Sequence, residues 1–311
     1  MSRSAELPGE VLADDLLWGE APRRNGSSLW LSDAQASQLV QIGPAGVRRH
    51  ALDTPVNGTW VRPDGSMAAA RLRDRRIDVL RDGAVTSALA DLSDLATGTL
   101  GDMTGTASGR LYVDDMGPEP WKAEPTGRLL AVAPDGTARV AADGLVFPNG
   151  LAVINDGATL VVAETLARRL TAFEIGADGQ LSARRVWTDL GAMLGPKNTP
   201  DGIWPTADGS VWVAAGSGET FLQVSGSDIL GAVPVPGEFA IACCLDGTDL
   251  YISTSRSTDP SLSLLEQALP AKKIRGRVAR LPAPHHAALM PVVTVRKAID
   301  KELIRGDDDV A

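Results

Sequence analysis

The chain has 311 residues, of which 44% are hydrophobic and 22% charged, so it is long enough to bury a large core and is not a disordered protein. Its 39 acidic residues outnumber its 30 basic ones, and the resulting net charge of −9 argues against a nucleic-acid partner. No apolar run reaches the length of a membrane helix, and the first ten residues lack the features of a secretory signal. The sequence therefore predicts a cytoplasmic protein without a membrane partner.

A repeat runs along the chain. A glycine followed by a short β-rich run recurs six times, at intervals of 38 to 52 residues: Gly26, Gly65, Gly109, Gly157, Gly209 and Gly247. A second strand-like run follows most copies, and Asp-Gly or Asn-Gly pairs mark the tight turns. Several short strands in each of six units predict an all-β fold, a six-bladed β-propeller.

The two ends of the repeat region predict how the ring closes. Propellers commonly pair a strand from one terminus with strands from the other, which here would join residues 11–17 to residues 277–281. We expect the propeller to span residues 1–284. Residues 285–311 would form a C-terminal extension on its surface, with one short helix near 295–304 and an acidic end at 307–309.

The repeat also predicts which side chains meet at the axis. Eight residues before the turn glycine, the units carry Asn57, Gly101, Asn149, Asp201 and, in the last unit, Phe239, while Glu20 lies two residues later in the first unit. Two carboxylates and a carboxamide that converge without an equivalent Lys or Arg would favour a bound hard cation. Calcium, magnesium or manganese suits such oxygen ligands, and zinc is an alternative. The competing interpretation is that these residues only form turns before each strand.

Six stretches of the sequence carry a family resemblance: residues 19–22, 102–103 with 109–113, 147–153, 162–165 through 169–173, 200–203 and 242–245. The most specific are Phe-Pro-Asn-Gly at 147–150 and Pro-Asp-Gly at 200–202. The chain resembles the senescence-marker-protein and gluconolactonase family, also called regucalcin-like. The resemblance implies a six-bladed propeller with one divalent metal in the central channel, held by Glu20, Asn149 and Asp201, and calcium is the cation we favour.

The chain departs from this family in the third unit. The family has an Arg-x-Asn-Asp motif there, whereas residues 99–102 read Thr-Leu-Gly-Asp, so the groups expected to grip a sugar lactone are missing. We therefore expect a small-molecule substrate other than gluconolactone, in a pocket that includes Gly101, Asn57 and Trp121. Asn57 has a turn interpretation as well, and Asp102 is either a general base or a hydrogen-bonded support.

These residues favour a metal-dependent hydrolase that opens a lactone. Asp201 or Asp102 would take the proton of the attacking water, and the sequence has no Gly-x-Ser-x-Gly motif to supply a covalent nucleophile. Two alternatives stay open. The first is a metal-dependent isomerase, lyase or condensing enzyme on a carbonyl substrate, and the second is a calcium-binding propeller without catalysis.

The other chemically notable residues receive structural interpretations. Adjacent Cys243 and Cys244 would point to opposite faces of a strand as buried thiols. The histidines His50, His285 and His286 fall outside the axial positions and are predicted to lie at the surface. Trp60 and Trp204 occupy equivalent positions, where blade packing is favoured over a role as pocket walls, and Glu164 is expected to pair with Arg169.

Overall fold

The computed structural model describes residues 7–258 and 274–283. The predicted extension at 285–311, with His285 and His286, lies outside these residues, as does the proposed boundary at 284. Within the described residues the chain is almost entirely strand, with one short helix, α1 (Leu190–Leu194).

The strands form six four-stranded antiparallel sheets, so the predicted six-bladed propeller is confirmed. The first blade contains β2 (Gly19–Asn25), β3 (Ser28–Asp33), β4 (Gln38–Gly43) and β5 (Gly46–Ala51). The second contains β6 (Val56–Val61), β7 (Met67–Arg71), β8 (Arg76–Arg81) and β9 (Ala84–Asp91). The third contains β10 (Leu100–Gly105), β11 (Leu111–Asp115), β12 (Gly127–Val132) and β13 (Ala138–Leu145).

The remaining blades repeat this order. The fourth contains β14 (Pro148–Ile154), β15 (Thr159–Glu164), β16 (Arg169–Ile175) and β17 (Leu181–Asp189). The fifth contains β18 (Ile203–Pro205), β19 (Val211–Ala214), β20 (Thr220–Ser225) and β21 (Asp228–Pro234). The first strand of each blade lies innermost and contacts the inner strands of its neighbours.

The sixth blade closes the ring with strands from both ends of the chain. Its strands are β22 (Phe239–Asp246), β23 (Asp249–Ser257), β24 (Ile274–Pro282) and, outermost, β1 (Glu10–Leu16). The pairing of Val11 with Ala279 and of Leu16 with Gly276 confirms the predicted closure.

Six clusters of buried apolar side chains lie between neighbouring blades, one for each pair, and a small seventh cluster comprises Phe239, Ile241 and Ala242. Because a blade is covered on both faces, its second strand is buried throughout, as in Thr159–Glu164. The fourth strand carries charged and exposed residues, as in Gly46–Ala51, which protects the outer edge from pairing with other chains. Cys243 and Cys244 are buried in different clusters, as predicted.

Each of the second, third and fourth blades has a β-bulge at the start of its inner strand. Two residues there oppose one residue of the next strand, as Asn149 and Gly150 do between the pairs Pro148 with Glu164 and Leu151 with Val162. A Cβ on Gly150 would lie 2.4 Å from the backbone oxygen of Asp201. The glycine therefore lets two inner strands approach closely, and the bulge directs the preceding side chain toward the axis.

Candidate functional site

The strand register defines one layer of equivalent residues around the channel. In the first four blades, the member follows the inner-strand residue that lies opposite the end of the second strand, such as Gly19 opposite Asp33 and Pro148 opposite Glu164. In the fifth and sixth blades, Asp201 and Ala240 lie opposite Ala214 and Thr254. The layer comprises Glu20, Asn57, Gly101, Asn149, Asp201 and Ala240. The structure thus brings together five of the six axial residues predicted from sequence.

Two details of the predicted alignment are wrong. Glu20 lies in register with the other blades and not two residues out of it, and Ala240 occupies the place predicted for Phe239, which corresponds to Pro148. The prediction counted back from the turn glycine. That count fails because the turn between the inner and second strands differs in length from blade to blade. The turns at Gly26 and Gly247 have two residues, whereas the turn of the second blade has five, residues 62–66.

Glu20 is buried, with 5% of its surface exposed. The indole Nε1 of Trp18 donates a hydrogen bond of 2.7 Å to its Oε1, whereas its Oε2 has no hydrogen-bond partner. Burial raises the pKa of Glu20 well above its usual range, and the charges of Asp201 and Asp102 raise it further. One carboxylate oxygen is thus fixed by the fold, and the other is left for a ligand.

Asn149 and Asp201 are held by a shared threonine. The amide Nδ2 of Asn149 donates to the hydroxyl of Thr165 at 3.3 Å, and this hydroxyl donates to the carbonyl of Pro200 at 2.8 Å, next to Asp201. Asp201 is 5% exposed, and its Oδ1 has no hydrogen-bond partner. Burial and the charge of Asp102 raise the pKa of Asp201 well above its usual range.

Asp102 lies beside the layer, on the bulge of the third blade, and is 3% exposed. Its Oδ1 also has no hydrogen-bond partner. Burial raises the pKa of Asp102, but the charge of Arg23 opposes this rise. Asp102 therefore faces a compensating cation, Arg23.

Arg23 is a residue that the sequence reasoning missed. The prediction found no basic residue at an axial position, whereas the structure buries the Arg23 guanidinium one layer below Glu20. It donates to the carbonyls of Thr59, Pro22 and Met103, at 3.0, 2.9 and 3.2 Å. These bonds tie the inner strands of the first three blades together around a buried positive charge.

The same guanidinium stacks on two tryptophans. Its carbon lies 4.9 Å from the ring centroid of Trp204 and 5.6 Å from that of Trp60. These rings belong to opposite blades and are 6.2 Å apart, so they meet across the axis. The predicted equivalence of Trp60 and Trp204 holds, and besides packing against the blade clusters the two rings contact each other and Arg23.

The remaining predicted residues are placed as follows. Asn57 and Asn149 lie inside strands, so the turn interpretation does not hold for them. The Trp121 ring, on a residue that is 52% exposed, meets Phe147 edge-on at 5.1 Å, two residues before Asn149. His50 lies on a fourth strand, away from the axis, and Glu164 accepts two hydrogen bonds from Arg169.

The donor set fits a hard cation in chemistry. Carboxylate oxygens of Glu20, Asp201 and Asp102 are buried without partners, and the only nearby cation identified in the described part of the chain is Arg23. Leaving such oxygens buried and unpaired is costly, so they favour a positively charged ligand. Within residues 7–258 and 274–283, no three His, Cys, Asp or Glu side chains are grouped so that they could hold an ion alone. A carboxamide such as that of Asn149 would have to complete the ligand set.

Fold and site together define a six-bladed propeller with a layer of buried acidic side chains at its axis. The family model described as the SMP-30/gluconolactonase/LRE-like region matches residues 18–256, and the chain belongs to this family. It is 26% identical to the gluconolactonase of Zymomonas mobilis, over 80% of each chain. It is 25% identical to human regucalcin, over 83% of this chain and 89% of that protein.

A solved structure shows the same architecture. Regucalcin of Agrobacterium tumefaciens, described as a calcium-binding protein, superposes with a TM-score of 0.72 at 21% identity, over 88% of this chain and 93% of that one.

In the described residues, no helix combines the length and apolar character needed to cross a membrane.

Proposed function

We propose that this chain is a divalent-metal-dependent hydrolase that opens a lactone. The observation that supports the proposal most directly is the set of unpartnered buried carboxylate oxygens on Glu20, Asp201 and Asp102. Membership of the family and the similarity to a gluconolactonase support the reaction class. We expect a small-molecule substrate and a cytoplasmic location.

The residues that would hold the cation are Glu20, Asn149 and Asp201, whose oxygens suit calcium best and magnesium, manganese or zinc as alternatives. When bound, the cation supplies Lewis-acid polarisation of the ester carbonyl. Trp18 orients Glu20 and Thr165 orients Asn149, so the donors are preorganised by bonds that do not use the ligand.

Asp102 is the proposed general base. Its free Oδ1 would take a proton from the water that attacks the lactone carbonyl. The ring C–O bond then breaks, Asp102 returns the proton to the ring oxygen, which becomes the hydroxyl, and the hydroxy acid leaves. Burial raises the pKa of Asp102, and the charge of Arg23 opposes this rise and so helps the carboxylate to ionise, as a base requires. Asp201 could also accept the proton, but it would then have to combine this task with holding the cation.

The substrate class follows from the walls of the site. Gly101 contributes no side chain, Thr99 replaces the family's arginine, and the exposed Trp121 ring stands over Phe147 beside Asn149. With Asn57 as a further contact, the third-blade side of this site lacks the arginine and asparagine that the family motif would place there to bind sugar hydroxyls. We expect bulkier or less hydroxylated lactones to be preferred over gluconolactone.

The test begins with metal analysis of the purified protein and continues with a panel of lactones, followed by proton release. Hydrolysis that is abolished by chelation and restored by one divalent cation supports the proposal. The preference is measured as a ratio of kcat/KM values, and a clear preference for gluconolactone would contradict the proposed substrate class.

The acidic layer also supports a second candidate function, because it would bind a cation without any substrate. Stoichiometric calcium binding with no turnover of any lactone would favour a calcium-binding propeller. Turnover of a carbonyl substrate without consumption of water would instead favour an isomerase, lyase or condensing enzyme.

A further inference from the structure

The facing residues of the inner and second strands follow a rule in four of the blades. Wherever the inner strand bears a polar axial side chain, the second-strand residue opposite it is small. The pairs are Glu20 with Ser32, Asn57 with Ala70, Asn149 with Ala163 and Asp201 with Ala214.

The third blade reverses this rule. Its axial residue is Gly101, and the second-strand residue opposite is Asp114. A Cβ built on Gly101 would lie 2.3 Å from Oδ1 and 2.7 Å from Oδ2 of Asp114, closer than real Cβ atoms approach other atoms. The carboxylate of Asp114 therefore occupies the space in which a side chain of residue 101 would begin.

Asp114 is 0% exposed. Its Oδ2 accepts a hydrogen bond of 2.7 Å from the backbone N–H of Asp102, and its Oδ1 has no partner. A buried carboxylate with a free oxygen costs stability. The four blades that follow the rule have a serine or an alanine at the equivalent position of the second strand. The carboxylate also lies within electrostatic range of Glu20 and Asp102.

We infer that Asp114 takes the place of the missing side chain of residue 101 and adds a second polar group of the third blade, besides Asp102, to the site. It does so from the second strand, and its negative charge strengthens the binding of a divalent cation by the layer. This inference rests on the proposed cation site. Asp114 is a positioning residue here: it fixes the N–H of Asp102 and adds charge behind the ligands.

The first experiment compares Asp114→Asn with the wild-type chain, using CaCl2 alone in titration calorimetry and unfolding in the presence of a chelator. Asparagine can still accept the hydrogen bond from Asp102, so the variant is expected to fold. We expect the calcium affinity to fall at least about tenfold, as for other groups behind metal ligands. The metal-free variant should be at least as stable as the wild type, because a buried unpaired charge is removed.

Asp115→Asn is the matched control. Asp115 is the adjacent buried acid, but its oxygens accept bonds from Thr97, Gly98 and Gly117 and none is unpartnered. We expect Asp115→Asn to lose stability while its calcium affinity stays within about threefold of the wild type, the usual context-dependence of a remote contact. If Asp114→Asn keeps the wild-type affinity, or behaves like this control, Asp114 is structural and the inference fails.

A second experiment tests the exchange without any metal. Gly101→Asn should lower the midpoint of unfolding, because the new side chain collides with Asp114, whereas the same change in an Asp114→Ala background should cost little. Equal losses in both backgrounds would overturn the exchange. If the wild-type chain binds no divalent cation, the first titration contradicts the proposed function. The comparison of Gly101→Asn in the two backgrounds then still tests whether Asp114 occupies the place of a residue-101 side chain.

Discussion

Arg23→Ala is the change with the largest predicted effect on stability. The guanidinium is 4% exposed and makes three hydrogen bonds of 3.2 Å or less to backbone carbonyls of three blades. Removing it leaves those carbonyls buried without a donor, and it opens a cavity beneath Trp60 and Trp204. Truncating a buried charged partner typically costs about 3–5 kcal/mol.

The separate contributions lead to a net loss of the same order. Each hydrogen bond from a charged donor contributes about 1.5–3 kcal/mol, and a desolvated cation–π contact about 2 kcal/mol. The favourable sum is partly offset because the guanidinium no longer has to be desolvated, a gain of several kcal/mol. We therefore expect a net loss of about 3–5 kcal/mol, which lowers the unfolding temperature by roughly 2–4 °C for each kcal/mol.

Equilibrium unfolding by urea, in the presence of a chelator, measures this loss. Arg24→Ala is the control, because the adjacent arginine makes its ion pair with Asp246 at the surface, at 2.9 Å, and such pairs contribute about 1 kcal/mol or less. The reasoning is refuted if Arg23→Ala lowers the free energy of unfolding no more than Arg24→Ala does.

In active protein, Arg23→Lys should also move the acid limb of the activity profile to higher pH. Lysine would make a weaker contact, so it would counteract the raised pKa of Asp102 less than arginine does.

Three further predictions concern the acids. Glu20→Gln keeps an acceptor for the Trp18 indole, so we expect the variant to fold. Calorimetry should show that calcium binding is lost, while the free energy of unfolding of the metal-free protein rises by about 1–3 kcal/mol because an unpaired buried charge is removed. If the variant keeps its metal and its activity, Glu20 is not part of the cation site. Asp102→Asn should keep the cation and lower kcat about 10²- to 10⁴-fold, and the acid limb of the pH profile of activity should disappear. Unchanged kinetics in a less stable protein would show that Asp102 has a structural role only. Folding raises the pKa values of Asp201 and Glu20. Above about pH 4 the unfolded chain has released these protons while the folded chain still holds them, so the stability of the metal-free protein should fall as the pH rises. Unfolding curves at several pH values should show a weaker fall for Asp201→Asn, and an equal fall would contradict the assignment.

The sequence alone was sufficient for the blade count, the ring closure and most of the axial layer. Each of these depends on local patterns that repeat, such as the turn glycine and the residue before a bulge. Glu20 and Phe239 were misaligned because turn length varies between blades, and turn length is visible in the sequence only once the strand ends are known.

Arg23 and Asp114 could not be found in this way. Arg23 is recognisable only when Trp60 and Trp204, from opposite blades, are seen to meet across the axis. Asp114 lies on a second strand, where the repeat predicts a small residue, so its departure from Ala70 and Ala163 was the available signal. Contacts between different blades depend on the radius and twist of the ring, which no spacing within one repeat encodes.

The outermost strand of the sixth blade, Glu10–Leu16, sets the order in which the molecule can be completed. It is synthesised before the other described strands, but its partner Ile274–Pro282 leaves the ribosome more than 250 residues later. Five blades can form as hairpins while the ring is still open, whereas closure must wait for the Ile274–Pro282 strand, and such distant pairings form slowly. Glu20 and Asp201, on the first and fifth blades, come within electrostatic range of each other only after this last step, so their repulsion opposes closure and not the growth of the blades. A cation present during synthesis would therefore accelerate the final joining of the two ends rather than the folding of any single blade.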